Sequence, residues 1–520
     1  MKNLIFKSFF AFAICIGLVS CSDYLEQEAD TVFDPQSVFA DKESVEVALN
    51  GLYSAISDPG YYGSSFSGLL GPHSGKMYSG QTANADATSL NCGTNNTWLT
   101  RLWPQMFKTI DVANNIIVNV ENTTLTNRNT TLGQAYFIRA VTYFDLVRLF
   151  GGVPIRTTPV SSENLYLSRN SKEEVYTQII QDFNLAKDLL PQTTGEYRSD
   201  RPIKWAANAY LAKVYMQLAS EQGAGSSYWQ NAWDEAIVVY GNYSLYPNYG
   251  DLFLQIDWVE NTSEAIFELQ YAHFGSIRNS DRVRQYTPSN STFVQRQYDT
   301  FGWLRPNKEI FDQHNTQYPG DPRINATYLY GSYQRYNNNN VLVNQNIYPT
   351  TANGNNGYPY IKKWFDASFN GTSTAKNHTV FRYAELLLML AEIENEINGP
   401  ANAYQYVNQV LSRARNSVIP AAIQPADWSG MSQDEFRNRI MKERQYELFS
   451  EGQDWFDARR RGYQYFVDTI ITVHNSHPTI NVGNRDYIYP TDAKNMLLPI
   501  PQSEIGNNPN ISESDQNPGY

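Results

Sequence analysis

Cysteine and positive charge are both scarce in this chain. Of its 520 residues, three are cysteines, and 40 Lys and Arg stand against 52 Asp and Glu. Nucleic acids and anionic membrane surfaces are bound by basic patches that displace counterions, so the acidic balance excludes both as expected partners. The cysteines, at positions 15, 21 and 92, leave little scope for disulfides. A chain of this size must therefore be held together by a large hydrophobic core.

Long hydrophobic runs are missing as well. The apolar stretch at 9–19 falls short of the roughly 20 residues that a membrane-spanning helix needs. The run "AELLLMLAEI" at 384–393 is shorter still. Because Lys2 and Lys7 precede the first stretch, its layout predicts a secretory signal peptide over residues 1–20.

The end of this signal predicts how the protein is held. The sequence "LVSC" (18–21) resembles the lipobox of bacterial lipoproteins, in which the cysteine is acylated and becomes the first residue. Each buried CH₂ of an acyl chain contributes about 0.8 kcal/mol to membrane binding. We therefore expect a lipid anchor at Cys21 and a lipidated polar tether over 21–40. An ordinary signal peptide with a chance cysteine is the alternative. Loss of both early lysines leaves 38 Lys and Arg against 52 Asp and Glu, a formal charge of −14.

Residue patterns of common enzymes are absent too. The chain has six histidines but no His-Glu-x-x-His zinc motif, no Walker loop, no Gly-x-Ser-x-Gly elbow and no EF-hand loop. His474 and His477 are three apart in a predicted loop, which is a weak metal pattern. We therefore expect a protein that is not an enzyme and has no cofactor. The sequence leaves a structural metal ion open.

Two pairs of carboxylates are spaced by one helical turn: Glu392 with Glu396, and Glu443 with Glu447. A glycoside hydrolase needs two carboxylates roughly 5–9 Å apart, and sequence rarely reveals them. Charged residues at 444–461 supply partners of both signs. Our interpretation is a salt-bridge network between the terminal helices, and an unrecognised glycoside hydrolase is the alternative.

Aromatic residues, by contrast, are abundant. The chain has 37 Tyr, 25 Phe and 10 Trp, together 14% of all residues. Many lie in Asn-, Gly- and Ser-rich segments rather than in periodic apolar ones. Tyrosines in such segments present flat apolar faces with a polar rim, which suit sugar rings and peptide backbones.

Helical periodicity comes in paired segments. An amphipathic helix is predicted at 41–57, and Ser171 with Glu174 forms a capping box at the start of another. The pairs loosely resemble tetratricopeptide repeats, which must stack to bury their faces. The helical period disappears between about 251 and 379. We predict a mostly α protein with a single domain at 41–520, comprising a helical scaffold (about 41–58, 98–250 and 380–462) and a loop-rich subdomain (about 59–97 and 251–379).

Several blocks together resemble one family. The segments "RIMKERQYELFSEGQDWFDARRRG" (439–462) and "LLPIPQSEIGNNPNISESDQNPGY" (497–520) are similar to the SusD/RagB family of outer-membrane nutrient-binding lipoproteins of Bacteroidetes. The blocks "VFRYAELLLMLAEIENE", "GDPR" and "GYPYIKKW" fit as well, and so do "CSDYLEQ" and "LYSAI" near the start. The blocks span nearly the whole chain in the family's order.

The resemblance implies tetratricopeptide-like helix pairs with an irregular ligand-binding subdomain. It also implies a binding protein: a surface-exposed lid on a TonB-dependent, SusC-like transporter barrel, which captures oligosaccharide and passes it into the barrel. The acidic run Asp23, Glu26, Glu28 and Asp30 after Cys21 resembles the signal that sends such lipoproteins to the outer face. A peptide-binding lid of the same architecture stays the alternative, because not every member binds sugar.

Candidate binding residues follow from the loop aromatics and their polar neighbours, since binding residues concentrate on loops carried by a rigid scaffold. Trp98, just before a helix, is our preferred platform, whereas Trp103 follows helical spacing and is assigned to the core. Arginines at 278, 282, 284 and 296 favour either an acidic glycan or salt bridges to nearby acids. The candidate ligand-binding residues are Tyr61, Tyr62, His73, Tyr78, Asp86, Trp98, Tyr271, Arg278, Tyr286, Trp303 and Arg305.

Overall fold

The computed structural model describes residues 38–520 except 82–84, 194–199, 224, 255–259, 274–278, 355, 478–480, 483–484 and 487. The predicted lipobox, the acidic run after Cys21 and the candidate residue Arg278 lie outside the described residues. Within the described part of the chain, every helix is too short or too polar to cross a bilayer.

The first half of the chain is mostly helical. Asp41 caps the first helix by accepting from the backbone N of Ser44 at 2.8 Å, and the predicted capping box of Ser171 and Glu174 is confirmed. From the helix at Leu99–Val120 to the one at Tyr228–Ile237, each helix contacts its successor, so the pairs bury their apolar stripes against one another. The elements are α1 (Lys42–Ser57), α2 (Ser65–His73), β1 (Met77–Ser79), α3 (Ala85–Thr88), α4 (Leu99–Val120), α5 (Arg128–Phe150), α6 (Lys172–Leu189), α7 (Lys204–Gln222) and α8 (Tyr228–Ile237).

The middle of the chain consists of short elements and loops. Its strands form small antiparallel two-stranded ladders, and partners are often far apart in sequence: β1 pairs with β3, and β2 with β8. The β4–β7 and β5–β6 ladders complete this region. The elements are β2 (Ala265–Leu269), α9 (Arg282–Tyr286), β3 (Leu304–Pro306), α10 (Lys308–Gln317), α11 (Pro322–Thr327), β4 (Tyr328–Leu329), β5 (Ser332–Tyr336), β6 (Leu342–Asn346), β7 (Tyr360–Ile361) and β8 (His378–Arg382).

The last part of the chain returns to helices and closes the scaffold. Helix α12 packs against α13, α14 and the earlier α8. The Asn517 side chain donates to the carbonyl oxygens of Phe150 and Leu498, which holds the end of the chain on α5. The elements are α12 (Tyr383–Asn398), α13 (Pro400–Asn416), α14 (Gln433–Leu448), α15 (Asp454–Arg460), α16 (Tyr463–Phe466), α17 (Thr472–Ser476), β9 (Asn481–Val482), β10 (Arg485–Asp486) and α18 (Gln502–Asn507). The prediction of a mostly α fold is confirmed.

Buried ion pairs connect α12 and α14 to the rest of the core. All four carboxylates singled out in the sequence are engaged by arginines, so the salt-bridge interpretation is confirmed. The expected partners at 444–461 serve Glu392 and Glu396, whereas Glu443 and Glu447 pair with arginines from the middle of the chain. These carboxylates are buried and paired, so a substrate could reach one of them only by breaking its ion pair. Breaking a buried ion pair costs several kcal/mol. The pairs are Glu443–Arg323 (2.6 Å), Glu447–Arg382 (2.6 Å), Glu396–Arg437 (2.6 Å) and Glu392–Arg460 (2.6 Å).

Candidate ligand-binding site

Two of the predicted site tyrosines hold a loop onto the scaffold. Tyr61 and Tyr62 are buried, and both hydroxyls donate to Asp145 Oδ2 of α5, at 2.6 and 2.7 Å. Arg148 Nη2 lies 2.6 Å from the other oxygen of the same carboxylate. The expectation that these two rings are exposed for a ligand is wrong, because one buried carboxylate draws both tyrosines into the core.

Trp98 is also a core residue rather than an exposed platform. Its side chain is 4% exposed, and a Cβ added at Gly68 would lie 2.7 Å from Trp98 Cε2. The ring therefore fills the space that a glycine of α2 leaves open. Trp103 is buried as predicted, and its Nε1 donates to Glu504 at 3.1 Å.

Three further candidates are buried by contacts that only the folded chain creates. The ring of His73 lies edge-on to Trp455 with centroids 4.8 Å apart. The hydroxyl of Tyr271 donates to the carbonyl oxygen of Ser57 at 2.9 Å. Tyr286 is 1% exposed. The expected exposure of these three side chains is wrong, and none presents a face to a ligand in this structure.

Asp86 is half-buried and serves its own loop. Oδ1 accepts from Asn96 Nδ2 at 2.8 Å, and Oδ2 accepts from the backbone N of Gly93 at 2.9 Å. The carboxylate thus holds the turn before α4 in place. Its free lone pairs still allow it to accept from a ligand hydroxyl.

The remaining candidates, Tyr78, Trp303 and Arg305, come together through the β1–β3 ladder. Tyr78 lies opposite Arg305 in the register, and the backbone N of Gly80 donates to the carbonyl oxygen of Trp303 at 2.9 Å. More than 200 residues separate the two strands in sequence. The ladder therefore joins the two loop-rich segments that the sequence predicts to carry the site.

Trp303 forms an aromatic pair at the surface with Phe301. Phe301 is not among the residues predicted from the sequence. The two rings are parallel, with centroids 4.5 Å apart and 5° between their planes. Phe301 is 38% exposed and Trp303 is half-buried. Gly302 between them has φ +57°, and a Cβ there would lie 2.5 Å from Tyr360 Cε1, so only glycine permits this close approach. The aromatic-Gly-aromatic triplet was the available signal, since residues two apart in an extended segment can share a face. We call Phe301 and Trp303 the aromatic platform.

Two buried rings and one cation lie next to the β1–β3 ladder, and the expectation that Tyr78 is exposed for a ligand is wrong because its side chain is buried. Tyr78 stacks on Tyr358 with centroids 4.9 Å apart, and Lys308 Nζ lies 4.7 Å from the Tyr358 centroid. Lys308 Nζ also donates to the carbonyl oxygen of Ala352 at 2.7 Å. Burial lowers the pKa of Lys308 to about 8, so this cation is predominantly charged at neutral pH.

Arg305 stands beside the platform and fixes its backbone. Its Nε donates to the carbonyl oxygen of Gly302 at 2.8 Å, and its guanidinium carbon lies 4.3 Å from the Tyr360 centroid. Arg305 is half-buried, like Trp303. The guanidinium can therefore present N–H groups to hydroxyls of a molecule stacked on the platform.

The two C-terminal histidines are engaged by carboxylates of α10. His474 Nδ1 lies 2.7 Å from Glu309 Oε1, and His477 Nε2 lies 3.0 Å from Asp312 Oδ2. In the described ranges, no group of three or more His, Cys, Asp and Glu side chains is arranged to hold a metal ion.

Stacked helix pairs that carry an aromatic platform on a loop-rich face define a class of helical-repeat binding proteins. The chain belongs to the SusD family. Residues 263–520 match the family described as "SusD family", and residues 23–216 match the one described as "Starch-binding associating with outer membrane". SusD-like protein P2 of Formosa agariphila is 30% identical over 98% of both chains.

Solved structures support the same assignment at the level of fold. A SusD homologue from Bacteroides thetaiotaomicron superposes with a TM-score of 0.78 at 22% identity, covering 92% of this chain and 97% of the other. A structure described as a laminarin binding SusD-like protein superposes with a TM-score of 0.69 at 20% identity, covering 92% of this chain and 100% of the other.

Proposed function

We propose that this protein is a surface-exposed outer-membrane lipoprotein that binds oligosaccharide and passes it to a TonB-dependent, SusC-like transporter. The observation that carries the binding function is the aromatic platform, a pair of parallel stacked rings, one exposed and one half-buried, whose backbone is fixed by a glycine and a β-ladder. Exposed rings of this kind match the apolar face of a sugar ring. Arg305, and Asp86 on α3, which contacts β1, supply hydrogen-bonding groups for hydroxyls.

The surroundings of the platform favour a neutral glycan over an acidic one. Arg282 is buried, with its guanidinium carbon 5.2 Å from the Tyr271 centroid. Arg284 donates to the carbonyl oxygen of Gly371, and Arg296 lies over the ring of Tyr336. The described arginines of this cluster, Arg282, Arg284 and Arg296, therefore do not assemble into a cationic surface beside the platform.

Family membership supports the remaining parts of the proposal. One matched family is described as starch-binding and associated with the outer membrane, and one structural neighbour as laminarin binding. Both descriptions favour sugar over peptide as the ligand. The anchor rests on the lipobox-like sequence at 18–21, and the transporter on the resemblance to SusD/RagB lipoproteins. Replacing Cys21 by Ser should release the protein from the membrane fraction; retention there would contradict the lipid anchor.

The binding function is tested by screening soluble protein beginning at Ser22 on a glycan array, with hits measured by calorimetry. Without the Trp303 ring, roughly 60 Å² of the bound sugar would stay in contact with water, which costs about 1.5 kcal/mol of binding free energy at about 25 cal/mol per Å². Trp303→Ala should therefore weaken binding about tenfold. Tyr166→Ala is the matched control, because Tyr166 is 48% exposed and lies outside the platform. Equal affinity of native and Trp303→Ala protein would remove the platform from the site.

Two further outcomes separate the alternatives. Silence across neutral and acidic glycans, with binding to a peptide library, would favour the peptide-binding lid. Release of reducing ends from an oligosaccharide would favour a glycoside hydrolase. The hand-off requires a complex, so co-purification of the lipoprotein with a TonB-dependent barrel tests that step.

A further inference from the structure

A second groove lies on the helical scaffold. One hollow of about 520 Å³ is bordered by the start of α7, the connection between α8 and β2, and β2 itself. A neighbouring hollow of about 640 Å³ is bordered by the same connection and by α13. Both hollows are lined by Gly241, Tyr243 and Ser244, so they adjoin along this segment. We call the two together the scaffold groove. Each volume lies in the roughly 300–1,000 Å³ range of small-ligand sites.

The scaffold groove shares no lining residue with the aromatic platform. Its residues come from 192–268 and 383–412, whereas the platform and its supports come from 78 and 301–360. The groove is therefore a separate place on the molecule and not an extension of the site described above.

Half-exposed rings line the groove. Trp205 borders the first hollow, Tyr240 the second, and Tyr243 both. Tyr240 is 37% exposed, and Trp205 and Tyr243 are half-buried. Rings at successive positions along a groove suit a chain of sugar units, because each unit can stack on one ring.

The polar lining is mainly uncharged. Gln192, Asn242 and Ser244 are exposed in the first hollow, and Gln405 is exposed in the second. Amide and hydroxyl groups both donate and accept hydrogen bonds, which matches the alternating needs of sugar hydroxyls.

The charged lining residues are already engaged within the protein. Glu268 Oε1 accepts from the backbone N of Asn261 at 3.0 Å and from Asn377 Nδ2 at 2.9 Å. Arg201 Nη2 lies 3.0 Å from Glu46 Oε1. Asp200, the third charged residue of the lining, also interacts with another group of the protein. An ionic ligand would have to compete with these pairs, whereas a neutral one would not.

We propose that the scaffold groove is a second binding site for a neutral oligosaccharide. This inference rests on the proposed function, and it adds a site that binds independently of the platform. Two sites on one lipoprotein would let a single long glycan be held at two points, which raises the effective concentration of the second contact.

The test is calorimetry of soluble protein beginning at Ser22 with laminarihexaose and maltohexaose as probes. The native protein should bind one probe at two sites per chain. Trp303→Ala should retain one site, Tyr243→Ala should retain the other, and the double variant should retain none. Tyr243→Phe keeps the ring and should bind like the native protein, and thermal melting of each variant verifies the fold.

The outcomes are distinguishable. If Trp303→Ala abolishes all binding and Tyr243→Ala binds like the native protein, the second site is refuted while the proposed function stands. If neither substitution alters the binding of a probe, both site assignments are refuted. Failure of the native protein to bind either probe overturns the neutral-glycan site. Peptide binding that Tyr243→Ala removes would reassign the groove to peptides.

Discussion

Asp321 allows the buried ion pairs to be tested with a single atom-for-atom replacement. Its side chain is 1% exposed and caps α11 by accepting from the backbone N of Arg323 at 2.9 Å. Oδ2 lies 2.8 Å from Arg323 Nη2 and 3.0 Å from His314 Nε2. Burial opposes ionisation, but Arg323 and His314 outweigh it and lower the pKa of Asp321 to about 2.

Asp321→Asn keeps the size of the side chain and its capping oxygen but removes the charge. A pKa lowered from 3.8 to about 2 corresponds to about 2 kcal/mol of stability at neutral pH. Breaking a buried ion pair lowers the free energy of unfolding by roughly 3–5 kcal/mol. Because Arg323 stays paired with Glu443 and Glu447, the loss caused by Asp321→Asn should fall at the low end of that range. For a chain of this length, about 3 kcal/mol lowers the melting temperature by about 3 °C.

Thermal unfolding at pH 7 and at pH 3 and below measures this effect. The folded-state pKa lies below the unfolded value, so the stabilisation is fully present above about pH 4 and disappears as the pH falls through about 2. The difference between native and variant must therefore shrink over that window. Asp434→Asn is the matched control, since Asp434 is 84% exposed and its pair with Arg437 should be worth under about 1 kcal/mol. Equal melting temperatures at pH 7, or a difference unchanged at low pH, would refute the reasoning.

Four further predictions follow from burial and backbone geometry. Trp98→Ala should lower the free energy of unfolding by about 3–5 kcal/mol, measured by urea denaturation, because a buried ring is lost; unchanged stability would contradict its place in the core. Gly302→Ala should weaken glycan binding at least tenfold, because the added methyl group would lie 2.5 Å from Tyr360 on a backbone with φ +57° and would displace the platform; native affinity in calorimetry would argue against that geometry. Ser171→Ala should cost about 1 kcal/mol through loss of the α6 cap, and a melting curve that does not move would exclude the cap's contribution. Tyr62→Phe should cost about 1 kcal/mol by removing one hydrogen bond to a buried carboxylate while leaving glycan affinity unchanged; a weakened affinity would place Tyr62 in the site after all.

Local features of the sequence were enough to predict the scaffold helices and the family, but not the short helices Ser65–His73 and Lys308–Gln317 within the segments predicted as loops. The capping box at Ser171 and the spacing of Glu443 and Glu447 correspond to the cap and the ion pairs that the structure shows. The cap depends on residues three positions apart, and the short-range geometry of a helix is the same in every protein. The arginine partners of Glu443 and Glu447 lie 120 and 65 residues away, so the sequence did not identify them. The family blocks likewise lie within continuous segments, so they are visible without a fold.

The identity of the exposed rings was decided only by the tertiary structure. Trp98 and Phe301 both stand in loop-like sequence, yet Trp98 packs on Gly68 of α2 and Phe301 is 38% exposed. The platform depends on a β-ladder that brings Tyr78 opposite Arg305. A side chain's exposure is set by whatever the fold places against it, and those partners are separated in sequence by tens to hundreds of residues. Composition therefore predicted exposed aromatics, and long-range packing decided which of them are exposed.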